Sequence, residues 1–77
     1  MDIDKLVKMA NQIASFFEGE PRREDALEGI AAHIVRNWEP RMRRELLAHV
    51  DAGGAGVRPS VAEAVRAHRA RLEPARA

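Results

Sequence analysis

Cysteine, tyrosine and threonine are all absent from this sequence of 77 residues. Without cysteine the chain can form no disulfide framework, no thiolate metal site and no cysteine nucleophile, which fits a reducing compartment. No apolar run approaches the roughly 18 residues that a membrane-spanning helix requires. The first residues, MDIDKLVK, lack the basic and apolar regions of a signal peptide. We therefore expect a cytoplasmic protein that does not contact a membrane.

The charges are unevenly distributed although the net charge is only +1. Residues 1–39 contain five basic and eight acidic side chains, whereas residues 40–77 contain eight basic and four acidic ones. Such halves can neutralise each other or face two differently charged partners. The basic second half is weak evidence for binding to nucleic acid.

Apolar residues recur at helical spacing along the whole chain, and the alternation typical of strands is absent. This pattern predicts an all-α fold, a small bundle of three to four short helices. The predicted helical segments and domain limits are, in chain order, helices at 3–18, 21–37, 40–51 and 60–72, one domain over 1–72 and a flexible tail over 73–77.

The ends of these segments carry recognisable signals. Asp2 is the predicted N-cap of the first segment, and Gly19 is predicted to end it. Ser60 and Glu63 have the spacing of a capping box at the start of the fourth segment. The glycines of GGAG predict a C-terminal stop and a turn, since neither a Walker motif nor a preceding strand accompanies them. The sequence leaves open whether the fourth helix packs internally or on a partner.

The first segment has an apolar arc of about 180°, wider than the roughly 100° of a surface helix. The excess comes from Met9 and Phe16, which lie seven residues apart. One interpretation is a central helix that packs on two neighbours. The other is that Met9 and Phe16 form a contact ridge for another protein.

Three arginines lie at the head of the third segment, where they oppose the helix dipole. Arg41 and Arg44 are predicted to point away from the apolar face, but Arg43 falls within it. Arg43 either extends its guanidinium to solvent or pairs with a carboxylate of the first two helices, or it reaches a group on a partner subunit. Trp38 precedes this cluster at the predicted corner.

Catalytic chemistry has little support in the sequence. His33, His49 and His68 are the three histidines, and no two of them have the helical spacing of a metal pair. The two serines have structural explanations, since Ser60 is predicted to cap a helix and Ser15 to lie on a helix surface. We therefore predict no catalytic, cofactor-binding or metal-binding residue in this chain.

Three stretches of the sequence, KMANQIASFF, HIVRNWEPRMRRELLAHV and GGAGVRPSVAEAV, together resemble one small family over residues 4–66. This family is the delta subunit of the cytoplasmic, NAD-dependent, molybdenum-containing formate dehydrogenases. The resemblance implies a non-catalytic accessory subunit that docks on the large molybdopterin-containing alpha subunit. Its role would be assembly, cofactor insertion or stability, and permanent subunit and maturation factor both remain open. The partner subunits are expected to carry molybdopterin, iron–sulfur clusters and FMN, and to use NAD.

The run from Trp38 to Arg44 best marks this resemblance and predicts the docking surface. The predicted partner-binding residues are Trp38, Arg41, Arg43, Arg44, Met9 and Phe16. Two alternatives remain at the level of sequence. A free-standing homodimer would use the Met9 and Phe16 ridge as a twofold interface. A helical nucleic-acid-binding module is less favoured, since the chain lacks a dense basic stripe.

Overall fold

The computed structural model describes residues 2–74 of the chain, and these residues contain helices and turns but no strand. Five helices follow one another, namely α1 (Ile3–Phe17), α2 (Arg23–Asn37), α3 (Pro40–Asp51), α4 (Pro59–Ala67) and the single turn α5 (Arg69–Leu72). The prediction of a small all-α bundle is confirmed. No helix in the described part of the chain has the length and apolarity needed to cross a membrane.

The core lies between all five helices, because each contributes one apolar face to it. Its members are mostly aliphatic and almost fully buried, namely Leu6, Ala10, Ala14, Leu27, Ile30, Ile34, Trp38, Leu46, Leu47, Val50, Val61, Ala64, Val65 and Leu72. α4 packs mainly on α2, while α1 packs on α2, α3 and α4. The fourth predicted helix therefore packs internally, which the sequence had left open.

The predicted start of α1 is confirmed, because the Asp2 carboxylate accepts a hydrogen bond from the Asp4 amide at 3.1 Å. α1 ends at Phe17, with Glu18 as its C-cap. α2 begins at Arg23, so the prediction that Pro21 opens this helix is wrong. The turn after α1 continues as far as Arg22, which has an extended backbone.

The predicted capping box at Ser60 is also wrong. α4 begins one residue earlier, at Pro59, whose fixed φ suits a first helical position. Ser60 is buried within the first turn and donates its hydroxyl to Glu18, and Glu63 pairs with Arg23. Both side chains of the predicted capping box therefore bind residues outside α4 and do not cap this helix.

The last predicted helix is interrupted at His68, which is the C-cap of α4 and precedes α5. Leu72 still reaches the core and is buried. The Glu73 amide donates to the Arg69 carbonyl at 2.9 Å. The predicted tail over 73–77 falls partly outside the described residues, and its limit stays a prediction.

The turn between α3 and α4 contains three glycines with positive φ, Gly53, Gly54 and Gly56. The Gly54 amide donates to the carbonyl of His49 at 2.9 Å, which closes the carboxyl end of α3. A left-handed backbone is disfavoured for residues with a Cβ. The prediction that these glycines stop the helix and form a turn is confirmed.

Candidate protein interaction surface

Trp38 lies at the corner where α2 turns into α3. Its backbone is extended, and its amide donates to the carbonyl of Ile34 at 2.8 Å as the C-cap of α2. Pro40 then opens α3 at a position where a missing N–H costs no helical hydrogen bond. The Trp38 side chain is only 5% exposed and belongs to the core of this chain. It therefore leaves little surface for a partner and acts mainly by fixing the corner.

Arg41 and Arg44 extend into solvent from the first turns of α3, as the helical pattern predicted. The Arg41 side chain is 82% exposed, and its Nε lies 3.8 Å from Oε2 of Glu45. This separation exceeds hydrogen-bond length. Arg44 makes no ion pair among residues 2–74. Both guanidinium groups can therefore bind a carboxylate or carbonyl of another molecule.

Arg43 is half-buried, and its contact is a backbone carbonyl and not a carboxylate. Its Nη1 lies 3.4 Å from the carbonyl oxygen of Val35 in α2. This distance is longer than a typical N–H···O hydrogen bond. Nε of the same side chain is buried without a hydrogen-bond partner, as is Oε2 of Glu45. The apolar stem of Arg43 thus lies against the bundle while its charged group is incompletely satisfied by this chain.

The head of α3 is locally unfavourable in two respects. Its N-cap, Glu39, makes no side-chain capping hydrogen bond, and the first turn holds no acidic side chain. Arginines in this position oppose the helix dipole, which favours negative charge at a helix N-terminus. Three arginines therefore coincide in the first half of α3 with two buried polar atoms that lack a hydrogen-bond partner, and the packing of residues 2–74 does not explain this arrangement.

Phe16 is the one large apolar side chain that is exposed among residues 2–74, with 78% of its area accessible. Its ring meets that of Phe17 edge to face, with the centroids 5.1 Å apart. A groove of about 350 Å³ between α1 and α2 is lined by Gln12, Ile13, Phe16, Phe17 and His33. Met9 is only half-buried and packs against the core on its inner side. The central-helix interpretation therefore explains Met9, but it does not explain Phe16.

Gly29 makes this groove possible, and the sequence pattern did not reveal it. The Phe17 ring occupies the place that a Cβ on Gly29 would take. The ring therefore packs closely against α2 at Gly29, and the centroids of the Phe17 and His33 rings are 6.3 Å apart. A glycine in the middle of a helix destabilises the helix by about 1 kcal/mol relative to alanine. Its presence there can therefore indicate that another group packs closely on the backbone.

Ion pairs join the acidic first half of the chain to the basic second half. Glu18 pairs with Arg58, and Glu28 pairs with Arg71. The hydrogen bond from Arg58, supported by that from Ser60, lowers the pKa of Glu18 to about 2. Part of the uneven charge distribution is therefore neutralised within the chain, which is one of the two explanations the sequence allowed.

Another ion pair holds the carboxyl end of α3. The Arg69 guanidinium donates to both carboxylate oxygens of Asp51, each at 2.8 Å, and this contact lowers the pKa of Asp51. The same contact raises the pKa of Arg69. α5 is thereby fixed to α3 although it is only one turn long.

Asn11 holds the glycine turn against α1, a role that sequence reasoning missed. Its Nδ2 donates to the carbonyl of Gly56 at 3.0 Å, and its Oδ1 accepts from the amide of Arg58 at 2.9 Å. His49 Nε2 lies 2.7 Å from the carbonyl oxygen of Ala55 in the same turn. The contacts of Asn11 join residues far apart in sequence, and that of His49 depends on the conformation of the turn. Spacing along the sequence therefore gives no signal for them.

Histidines and carboxylates do not converge in the described structure. Among residues 2–74 no group of three or more metal-binding side chains lies close enough together to hold an ion. His33 borders the apolar groove, His49 contacts the glycine turn and His68 lies 3.8 Å from Glu28. The three histidines are therefore distributed over separate parts of the surface.

The chain is a small all-α protein. Its surface carries a cluster of arginines at the head of α3 and one exposed phenylalanine on α1. Within that class the chain belongs to a particular family, the NADH-dependent formate dehydrogenase delta subunit FdsD, whose model matches residues 5–65. Searches of curated proteins and of solved structures gave no significant match. The resemblance found in the sequence is thus confirmed, and membership in this family implies partner subunits in a formate dehydrogenase complex.

Proposed function

We propose that this chain is a non-catalytic accessory subunit of a cytoplasmic, NAD-dependent formate dehydrogenase, and that it docks on the large alpha subunit. The observation that carries this proposal is the family match over residues 5–65, which names a delta subunit. The complete absence of cysteine supports a role outside electron transfer, because iron–sulfur clusters are held by cysteine thiolates. Molybdopterin, iron–sulfur clusters, FMN and the NAD site would belong to the partner subunits.

The docking surface in this proposal is the exposed head of α3. Arg41 and Arg44 provide planar donors that match carboxylates and carbonyls of a partner. Arg43 contributes a guanidinium whose Nε has no hydrogen-bond partner among residues 2–74. Trp38 is buried and fixes the corner from which these arginines extend. Arginine is enriched at interface positions that contribute most of the binding energy.

Docking would support assembly, cofactor insertion or stability of the large subunit. A chain with a small core gains stability when it binds a larger surface, since any partner that binds only the folded form shifts the folding equilibrium. A permanent structural subunit should remain in the active enzyme. A maturation factor should bind the large subunit before cofactor loading and then leave.

The test is to express the complex with this chain tagged and to purify through the tag. The eluate is assayed for the other subunits, for molybdenum and for formate-dependent reduction of NAD. Active enzyme with the large subunit in fixed proportion establishes a structural subunit. Recovery of only cofactor-free large subunit indicates a maturation factor. Recovery of this chain alone contradicts the proposal.

The docking surface is tested by changing Arg41, Arg43 and Arg44 to alanine one at a time. At least one variant should weaken binding of the large subunit by about fivefold or more, since truncating an arginine at an interface hot spot costs more than about 1 kcal/mol. Arg66→Ala is the matched control, because Arg66 is an exposed arginine on α4. Normal copurification of all three variants would show that the head of α3 is not the docking surface.

A further inference from the structure

One row of side chains on α1 is not part of the docking surface proposed at the head of α3, and its residues recur at helical spacing. Lys5, Met9, Gln12 and Phe16 follow one another at intervals of four, three and four residues, which places them on one side of the helix. Glu20 comes four residues after Phe16, in the turn beyond the helix, where its amide donates to the Phe17 carbonyl at 3.0 Å. All five side chains are exposed except Met9, which is half-buried. The stripe thus carries charge only at its two ends.

The order of these residues is self-complementary when it is read in the opposite direction. A second α1 that runs antiparallel and is centred between Gln12 and Ile13 brings Met9 opposite Phe16, and it aligns Lys5 with Glu20 in the turn beyond the other helix. Gln12 then lies beside the same residue of the other copy. Neither Lys5 nor Glu20 makes an ion pair among residues 2–74. Opposite charges therefore meet at both ends, and apolar groups meet between them.

We infer that α1 is the interface between two copies of this chain, related by a twofold axis near Gln12. In this arrangement the exposed Phe16 of each copy packs on Met9 and into the groove beside Ile13 of the other. The groove of about 350 Å³ has an apolar floor and can hold an aromatic ring. A thioether beside an aromatic ring edge is a favourable contact. Every contact occurs twice, as an isologous interface requires.

The charge distribution is what favours a second copy over a different protein. A surface whose charges all have one sign would favour a partner of the opposite charge. This stripe instead has a positive charge at one end and a negative charge at the other. Reversing the direction of the helix pairs the two ends, so that this chain already holds the complementary sequence. The interface lies on α1 and is separate from the arginines of α3, so both surfaces can be occupied at once.

The size of the stripe limits the strength of the interface. A stable interface buries about 800 Å² on each partner, and one side of a 15-residue helix supplies less. We therefore expect a dimer that forms and dissociates with concentration. Sedimentation or light scattering of the full-length chain over a wide concentration range should show a monomer at the low end and a dimer at the high end. A monomer at every concentration would overturn the inference.

Phe16→Ser should weaken the dimer by about 30-fold or more, the effect expected for a central aromatic residue at an interface. Circular dichroism should show unchanged helix content, because Phe16 is exposed in the monomer. Ala48→Ser on the exposed side of α3 is the control and should leave dimerisation unchanged. A dimer that tolerates Phe16→Ser would have to use another surface, and the inference would fail.

Charge reversal tests the direction of the two helices. Lys5→Glu should weaken the dimer by about two- to fivefold for each of the two pairs, and adding Glu20→Lys in the same chain should restore it. Lys8→Glu makes the same charge change one turn further along and away from the stripe, so it should have a smaller effect. Failure of the double variant to restore dimerisation would contradict the antiparallel arrangement.

The absence of cysteine allows a direct test inside the intact complex. Gln12→Cys near the axis should form a disulfide between two copies under mild oxidation, because disulfides need Cα atoms within about 7 Å. Ala52→Cys, exposed in the glycine turn, should not. If Gln12→Cys copurifies with the large subunit without cross-linking to its own copy, another protein covers the stripe. That result would overturn the inference while leaving the proposed function intact.

Discussion

The carboxylate of Glu18 and the guanidinium of Arg58 join the end of α1 to the beginning of α4, across forty residues of sequence. Nη2 and Nε of Arg58 lie 2.6 and 2.9 Å from the two carboxylate oxygens, and the hydroxyl of Ser60 donates to the same group. Paired hydrogen bonds between arginine and a carboxylate fix geometry as well as charge. This contact explains why Ser60 is buried and does not cap a helix.

The first prediction concerns the pH dependence of this contact. The pKa of the Glu18 carboxyl group in the folded chain is about 2, below the ordinary value of 4.5. The ionised carboxylate therefore stabilises the fold fully above about pH 4.5, and this stabilisation disappears as the pH falls towards 2. We expect Glu18→Gln to lower the denaturation midpoint at pH 7, and the difference from the natural chain to vanish near pH 2.

Denaturant unfolding at several pH values, followed by circular dichroism, measures this difference. Glu39→Gln is the matched control, since Glu39 is exposed and makes no ion pair among residues 2–74. A difference between Glu18→Gln and the natural chain that stays constant with pH would show that ionisation of Glu18 does not stabilise the fold.

The second prediction concerns the contact of Phe17 with Gly29. Alanine is the better helix former by about 1 kcal/mol, but its Cβ would occupy the place of the Phe17 ring. We expect Gly29→Ala to destabilise the chain by about 1–3 kcal/mol, as overpacking does. Combining it with Phe17→Leu should recover part of the loss. Thermal unfolding provides the measurement.

Gly19→Ala is the control for this substitution, because the nearest atom to its added Cβ would lie 3.8 Å away. It should leave the melting temperature nearly unchanged. If Gly29→Ala instead stabilised the chain, the ring of Phe17 would have to move freely, and the groove beside it would not have a fixed shape.

The third prediction concerns Asn11 and the glycine turn. Asn11→Ala removes two hydrogen bonds, one to Gly56 and one from Arg58. Each such bond contributes about 0.5–1.5 kcal/mol, so we expect a loss of about 1–3 kcal/mol in the free energy of unfolding. Ser15→Ala changes an exposed side chain of the same helix and should change stability by less than about 0.5 kcal/mol.

Amide hydrogen exchange adds a local measurement to this experiment. In Asn11→Ala the amide of Arg58 should exchange faster than in the natural chain, while that of Gly54, which donates within the turn to His49, should change less. Equal acceleration throughout the chain would indicate that Asn11 contributes only to global stability.

The fourth prediction separates stability from binding at Arg43. Methionine keeps the apolar stem and removes the buried Nε that has no partner. We expect Arg43→Met to leave the free energy of unfolding unchanged or to raise it by about 1 kcal/mol. The same variant should lower recovery of the large subunit, if the guanidinium completes its hydrogen bonds in the complex.

Arg41→Met is the control for stability, since this side chain is 82% exposed. Its effect on unfolding should lie within about 0.5 kcal/mol. A loss of more than about 1 kcal/mol in Arg43→Met would instead show that the contact with the Val35 carbonyl stabilises the monomer.

Helix positions were largely accessible from the sequence. The limits of α3 and the N-cap at Asp2 follow from proline, glycine and carboxylate positions, and all act within one turn of the helix. The exposure of Arg41 and Arg44 also follows from helical spacing. Local signals work here because the groups concerned are neighbours along the chain.

The errors arose where a distant partner outweighed a local preference. Ser60 and Glu63 have the spacing of a capping box, yet Glu18 and Arg23 bind them from elsewhere in the fold. Trp38 is one of the predicted partner-binding residues, and its side chain is buried in the core of this chain. The contacts of Ser60 and Glu63 span regions that are far apart in sequence.

The sequence by itself determined the all-α class, the family and the turn at the three glycines, because periodicity and φ restrictions are properties of short segments. Only the tertiary structure decided that the fourth helix packs on α2, that Phe17 lies on Gly29 and that Asn11 holds the turn. It also left Phe16 exposed while burying Trp38. These outcomes depend on which helix faces meet, and that is set by the packing of the whole chain.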